Sequence, residues 1–248
     1  MTTLAEPEFL SLRRAAAVAE ADGLDLPVFK GAAGWEFTPL KGFDLAAYPA
    51  APGGAEDAAE HVLDLDLEAA VRVSADEAVS EGPVVLPLAV AAERHPDIVE
   101  RYLGTIVRQR SRLTLENDAQ WSEGSFVYVP RGVHVEAPIV LTTVHEQAGS
   151  ALHHRALVVL EEGAQAEVWH QALSADADAE GVVNGVTELV VGQNAQLRFV
   201  DAQALSEKTW VFGAQRAVVE RGGSLDWITL GFGSGNGKVF LETKLAGP

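Results

Sequence analysis

The side chains best suited to chemistry in this chain are seven histidines and several spaced carboxylates, because cysteine is absent. Without a thiol the chain can form no internal disulfide and no thiolate metal site. His145, His153 and His154 lie close together, yet no His-Glu-x-x-His pattern sets two imidazoles on one helix face. His153 and His154 are adjacent, and neighbours on a strand point to opposite faces, so the two cannot share an ion. His134 falls in one row with Gln165 and Gln196, which reads as a solvated ladder. His170 follows Trp169 at what reads as a strand end and needs ligands from elsewhere to hold a metal. Structural or surface roles are expected for all seven, since a metal site requires several converging ligands.

The carboxylates offer two patterns. Asp64, Asp66 and Glu68 share one face of the strand Leu63 to Glu68, an arrangement typical of the solvated side of an edge strand. Glu136 and Glu167 fall in one column and could form an acid–base pair of the kind that polysaccharide-cleaving β-helix enzymes use. Arg198 and Asp226 continue that column, however, and such alternation suits charge-balanced rungs better than a pKa-tuned cleft. Gly231 to Gly237 is glycine-rich but has no Lys-Ser/Thr to close a phosphate loop, and it reads as a flexible turn. No catalytic, cofactor-binding or metal-ligating residue is therefore assigned.

The element that must carry these side chains is a repeat. Gly132, Gly163, Asn194 and Gly222 recur at intervals of 31, 31 and 28 residues, each at a turn between two alternating apolar segments. Three residues after them stand Val135, Ala166, Leu197 and Leu225; five after, Ala137, Val168, Phe199 and Trp227. Three before stand Val129, Leu160, Val191 and Val219; five before, Val127, Val158, Leu189 and Ala217. Period-two alternation puts one row inside and its neighbour outside, and matching rows at a longer fixed period mark stacked coils. The expected fold is mainly β: a right-handed parallel β-helix (β-solenoid), read from Leu113 onward and assigned as a domain over 111–248, incomplete at its C-terminal end. A small N-terminal α/β region over 1–110 precedes it.

In that region residues 4–21 predict a helix, with Pro7 in its first turn, Gly23 closing it, and Leu10, Ala17 and Val18 on one side. Trp35, Phe37, Phe43 and Tyr48 sit in a loop that they are expected to pin onto the core. Ala50 to Ala59 is small and polar like a linker, and Val71 to Leu88 predicts short strands broken at Gly82-Pro83. His95 to Gly104 predicts a second helix, with Pro96 in its first position and Ile98, Val99, Tyr102 and Leu103 as its buried stripe.

The net charge of −18 is spread along the chain and opposes binding to nucleic acid or anionic lipid. No apolar run approaches the roughly 20 residues of a membrane helix, and residues 1–20 lack a secretory pattern, so a cytoplasmic protein is expected.

Several ordered motifs resemble the SufB/SufD family of iron–sulfur cluster assembly proteins. Trp35-Glu36-Phe37-Thr38-Pro39-Leu40 resembles the family's N-terminal Trp-x-Tyr/Phe-Thr-x-Leu signature. His95 to Gly104 and Gly124-Ser-Phe-Val-Tyr-Val-Pro-Arg-Gly-Val133 are similar to two further family segments. Leu205 to Trp210 and Arg216 to Leu230 resemble the SufD side, and residues 171–180 lack the Cys-Thr-Ala-Pro of SufB. The resemblance implies a non-catalytic scaffold of the SufBCD complex that pairs through its β-helix with a SufB-like subunit and acts with the SufC ATPase, with a homodimer left open. It implies no cofactor within this chain, the cluster being assembled by the whole complex. The family's interfacial Cys and His and its SufC-binding helices would lie after Pro248, so none of them maps onto this chain. The alternatives are an acidic-site polysaccharide-active enzyme and a generic β-solenoid interaction module.

Overall fold

The computed structural model describes residues 6–27, 33–52, 71–72, 82–108 and 110–247. The strand Leu63 to Glu68 with its three carboxylates, His61, and residues 53–59 of the expected linker lie outside them.

The first described helix is α1 (Glu8–Ala21), and the short strands β1 (Val71–Arg72) and β2 (Val84–Pro87) come later in the chain. Three helices follow: α2 (Leu88–Arg94), α3 (Pro96–Tyr102) and α4 (Arg112–Gln120). Nine strands then wind the solenoid: β3 (Glu123–Val129), β4 (Ile139–His145), β5 (Ser150–Leu160), β6 (Gln165–Ser174), β7 (Gly181–Val191), β8 (Gln196–Ala204), β9 (Thr209–Val219), β10 (Ser224–Gly231) and β11 (Asn236–Leu245). Alternate strands join two sheets, one in the order β1-β4-β6-β8-β10 and the other β11-β9-β7-β5-β3-β2. Among the described residues every strand pairing is parallel except that of β2 with β3. The fold is a parallel β-solenoid of about four turns with a small helical region at its N-terminal side.

The four turn residues are what make one coil follow another. Gly132, Gly163 and Gly222 hold φ near +70°, and Asn194 occupies the same left-handed conformation at +57°. L-residues other than Asn and Asp avoid this region because Cβ crowds the backbone carbonyl. The columns follow from the shared turn: Val127 pairs with Val158, Val158 with Leu189, and Leu189 with Ala217. On the facing sheet Val168 pairs with Phe199 and Phe199 with Trp227. These columns meet between the sheets as one continuous apolar core.

One column departs from its expected spacing. His134 bridges Gln165, but Ile139 pairs with Val168, so the first coil carries two extra residues between those points. Ile139 takes the interior place expected for Ala137, and Glu136 does not stand over Glu167. The expected acidic column is thereby dissolved.

The helical region also departs from expectation. Leu113-Thr114-Leu115 alternates like a strand, yet residues 112–120 form α4, initiated by a capping box. Ser111 Oγ accepts from the Thr114 N–H at 3.3 Å, and Thr114 Oγ1 accepts from the Ser111 N–H at 2.9 Å. The strands of the solenoid start at Glu123 rather than Leu113. α2 forms over residues whose pattern predicts no helix. Val18, expected beside Leu10 and Ala17, is exposed while those two are buried. Trp35, Phe43 and Tyr48 do pin the loop, packing on Trp210, Phe212 and Phe240, whereas Phe37 is 94% exposed.

A buried ionic network fastens the helical region to the six-stranded sheet. Arg155 of β5 contacts both Asp118 of α4 and Glu188 of β7, and Arg13 of α1 donates to Asp118 at 2.6 Å. Burial alone would push the Asp118 carboxyl up, but Arg155 and Arg13 hold it below the usual carboxylate range. Glu188 also accepts from the backbone N–H groups of Gly104, Ile106 and Val107 at 2.6, 2.9 and 3.0 Å, fixing the loop after α3. Asn117 donates to the carbonyls of His154 and Asn184, tying α4 directly to the sheet.

Two stability measurements follow. A Cβ added at Gly132 would stand in open space, so Gly132→Ala tests the backbone alone; urea denaturation is expected to show a loss of about 1 kcal/mol, against little change for Asn194→Gly. Glu188→Ala strands three backbone donors and weakens a buried ion pair, with an expected loss of about 3 kcal/mol or more in the same assay.

Candidate functional site

The strongest concentration of polar side chains inside the solenoid lies where five strands from both sheets face one another. Leu141, His170 and Asp201 occupy one register column across β4, β6 and β8. His170 Nδ1 lies 2.7 Å from Asp201 Oδ1, and its Nε2 lies 3.1 Å from Thr143 Oγ1. Gln215 of β9 reaches across from the other sheet and donates to Asp201 Oδ2 at 2.5 Å. His154 of β5 completes the group, its ring 5.1 Å from that of His170. Burial pushes the Asp201 carboxyl up, but hydrogen bonds from His170 and Gln215 bring it below its ordinary value. An ionised Asp201 places the proton on His170 Nδ1.

Thr143, His170 and Asp201 thus repeat the order of a hydroxyl, a base and an orienting carboxylate. The burial decides against that chemistry: Thr143 is 4% exposed and His170 2%, with strands packed on every side. A nucleophile needs room for a reacting atom beside it, and here the space is filled by the core. Both ring nitrogens of His170 are already engaged, so it has no lone pair free for a metal. His170 sits in the middle of β6 rather than at the strand end that the sequence suggested. Among the described residues no group of three or more His, Asp or Glu converges in a way that could hold a metal ion.

The other histidines among the described residues have identifiable surroundings. His153 points away from His154, toward the helices, where Nδ1 lies 3.1 Å from Asn184 Nδ2. His145 Nε2 lies 3.3 Å from Ser150 Oγ, and its ring lies against Gly181, where a Cβ would collide with it. His95 stacks on Phe126, and His134 is exposed beside Gln165. On the outer surface Arg198 bridges Glu167 at 3.5 Å and Asp226 at 3.0 Å, the charge-balanced ladder that the alternation predicted. Gly233 and Gly235 are more than a flexible turn: a Cβ at either would strike the carbonyl of Leu205 or Glu207, so they let the last corner stack tightly on the one before. Sequence reasoning alone misses Asp201, Thr143 and Gln215. A signal is present, since Asp201 lies 31 residues after His170, one coil further along the same column.

β10 and β11 each have a single strand neighbour among the described residues. Interior-facing Leu241 and Leu245 of β11 are 46% and 75% exposed there, beside exposed Ile228 and Phe232.

Comparison with known proteins assigns the two halves of this architecture. Residues 140–248, from β4 to β11, match the family described as SUF system FeS cluster assembly, SufBD core domain; residues 68–141 match the SufBD protein N-terminal region. The chain is similar to iron-sulfur cluster assembly protein SufD of Bacillus subtilis, 28% identical over 151 residues that cover 59% of this chain and 34% of that protein. It is 28% identical over 152 residues to an iron-sulfur cluster assembly SufBD family protein of Synechocystis, covering 60% of this chain and 30% of the relative. A SufBD family protein of Staphylococcus saprophyticus is 22% identical over 145 residues, covering 58% and 31%. The matched part spans about a third of the length of these curated relatives. No helix among the described residues is long and apolar enough to cross a membrane.

The buried groups make the pH dependence predictable. Burial pushes His154 down to about 3 and His153 down to about 4, while it pushes Glu123 up to about 8, with Glu146 nearby adding to the shift. A histidine depressed in the folded state stabilises above its ordinary value near 6.5 and loses that contribution as pH falls. Between pH 6.5 and 5 each of His153 and His154 withdraws about 2 kcal/mol. The raised Glu123 has the opposite sign and returns about the same amount over this interval. The net expectation is a loss of about 2 kcal/mol, read as a falling urea midpoint, and Glu123→Gln is expected to steepen that fall.

Proposed function

Because this chain belongs to the SufB/SufD family of iron–sulfur cluster assembly proteins, we propose that it serves as a SufD-like, non-catalytic scaffold of a SufBCD complex. The observation that carries the reading is the coincidence of the family's core match, residues 140–248, with the in-register solenoid strands β4 to β11. In this reading the protein pairs through its β-helix with a SufB-like subunit and acts with a SufC-type ATPase. The iron–sulfur cluster is the cargo of the whole assembly, and no residue of this chain is assigned to it.

Two features support a scaffold over an enzyme. Thr143, His170 and Asp201 in the interior are engaged with one another and enclosed, which gives rigidity and leaves no access for a substrate. The acidic pair that favoured a polysaccharide-active enzyme is not formed: Glu167 is engaged with Arg198, and Glu136 belongs to a stretch two residues out of step.

The test is affinity isolation of the full-length protein from a lysate of its own organism, followed by identification of what co-purifies. Recovery of a SufB-like subunit together with a SufC-type ATPase is the expected result. Recovery of neither, with the protein intact and folded, would overturn the scaffold reading.

A further inference from the structure

α1 is apolar on both sides, and only one side is used by the fold. Its inner side buries Leu10, Ala17 and Ala21. Arg14 on that side lies 4.5 Å over the Trp121 ring, and Arg13 binds Asp118. On the opposite side Leu12 is 63% exposed and Val18 60%, with Ala15 and Ala19 exposed between them. At about 100° per residue, Leu12, Ala15 and Ala19 form a straight stripe whose ends are marked by exposed Glu8 and Asp22. The alanines let another backbone come close, and Leu12 and Val18 supply the area to bury.

The charges define what fits this face. Glu8 sits at the N-terminal end, where the helix dipole favours an anion, but Asp22 caps the C-terminal end, where it favours a cation. No basic residue lies in the last turn of α1 to relieve that end. We infer that the outer face of α1 docks a helix of another protein, one whose apolar stripe is flanked at both ends by Lys or Arg about 20 Å apart, the span from Glu8 to Asp22 at 1.5 Å per residue. A second copy of this chain is the wrong occupant, because either orientation of two α1 helices sets acidic ends against acidic ends. An anionic membrane surface is opposed by the same two carboxylates and by the net charge of −18. The surface lies on the helical region and does not depend on the solenoid pairing proposed above.

The test uses the full-length protein and two synthetic helices of about 18 residues, both with a Leu/Ala stripe, one flanked by Lys and its isomer by Glu. Fluorescence anisotropy at low salt is expected to show the Lys-flanked helix binding at least about tenfold tighter than the Glu-flanked one. The double variant Leu12→Glu/Ala19→Glu is expected to lose that preference while its thermal melt stays unchanged, since both positions face solvent. A photoreactive residue placed at Ala15 in cells is expected to cross-link to a basic-flanked helical segment of another protein. Equal binding of the two peptides, preference retained in the double variant, cross-links solely to a second copy, or cosedimentation with anionic vesicles that the variant abolishes would each overturn the inference.

Discussion

Each coil of this protein must lie in register on the one before it, and that requirement governs what every position can hold. Strands stacked in parallel about 4.8 Å apart bring side chains from equivalent positions into columns. The register survives only if each coil turns at the same place, which here needs a left-handed residue four times over, at Gly132, Gly163, Asn194 and Gly222. Once the turn is set, the column is set. An apolar column such as Val127, Val158, Leu189 and Ala217 extends the core, whereas a polar residue in an interior column must find its partner one coil away or across the sheet gap. The chain Thr143, His170, Asp201 and Gln215 is that second case, its members linked by hydrogen bonds across four strands.

The same rule explains how the helical region is attached. Outward positions of β5 and β7 carry Leu157 and Val159, which cover α2, but also Arg155 and Glu188. Those two charges lie almost wholly out of solvent and would be costly if isolated. Asp118 and Arg13 from the helices, and three backbone N–H groups of the loop after α3, complete them. Packing of apolar faces alone tolerates sliding; a carboxylate that must meet three N–H groups and a guanidinium does not. The network therefore sets where the helical region sits on the sheet, whatever its net contribution to stability.

The columns are legible in the sequence because their period outlasts any local irregularity: glycine or asparagine, then alternating apolar residues, four times in step. What misleads is local. The two additional residues near Pro138 are invisible until Ile139 is paired, so Ala137 and Glu136 read two residues out of line. Leu113-Thr114-Leu115 carries strand-like alternation, and the capping box at Ser111 and Thr114 outweighs it. The interior polar group is half legible: His170 stands out by type, but its partners stand 27 and 31 residues away and acquire meaning once the column is followed beyond the apolar positions. The ionic clamp is not legible at all, since no periodicity links Arg13, Asp118, Arg155 and Glu188.

A solenoid stabilised in this way has little capacity for interior chemistry and much for display. Side chains inside are held by neighbours above, below and opposite, so opening a reactive cavity would require breaking several rungs together. The outer faces bear no such constraint, and exposed apolar residues stand on several of them, among them Phe37 of the N-terminal loop, Ile228 of β10, and Leu12 and Val18 of α1. Large apolar side chains in water have no role in holding the chain together, and leaving them exposed adds a tendency to associate. Those on α1 lie along one helix face between Glu8 and Asp22, outside the stacked columns, so a contact made there leaves the register of the coils undisturbed.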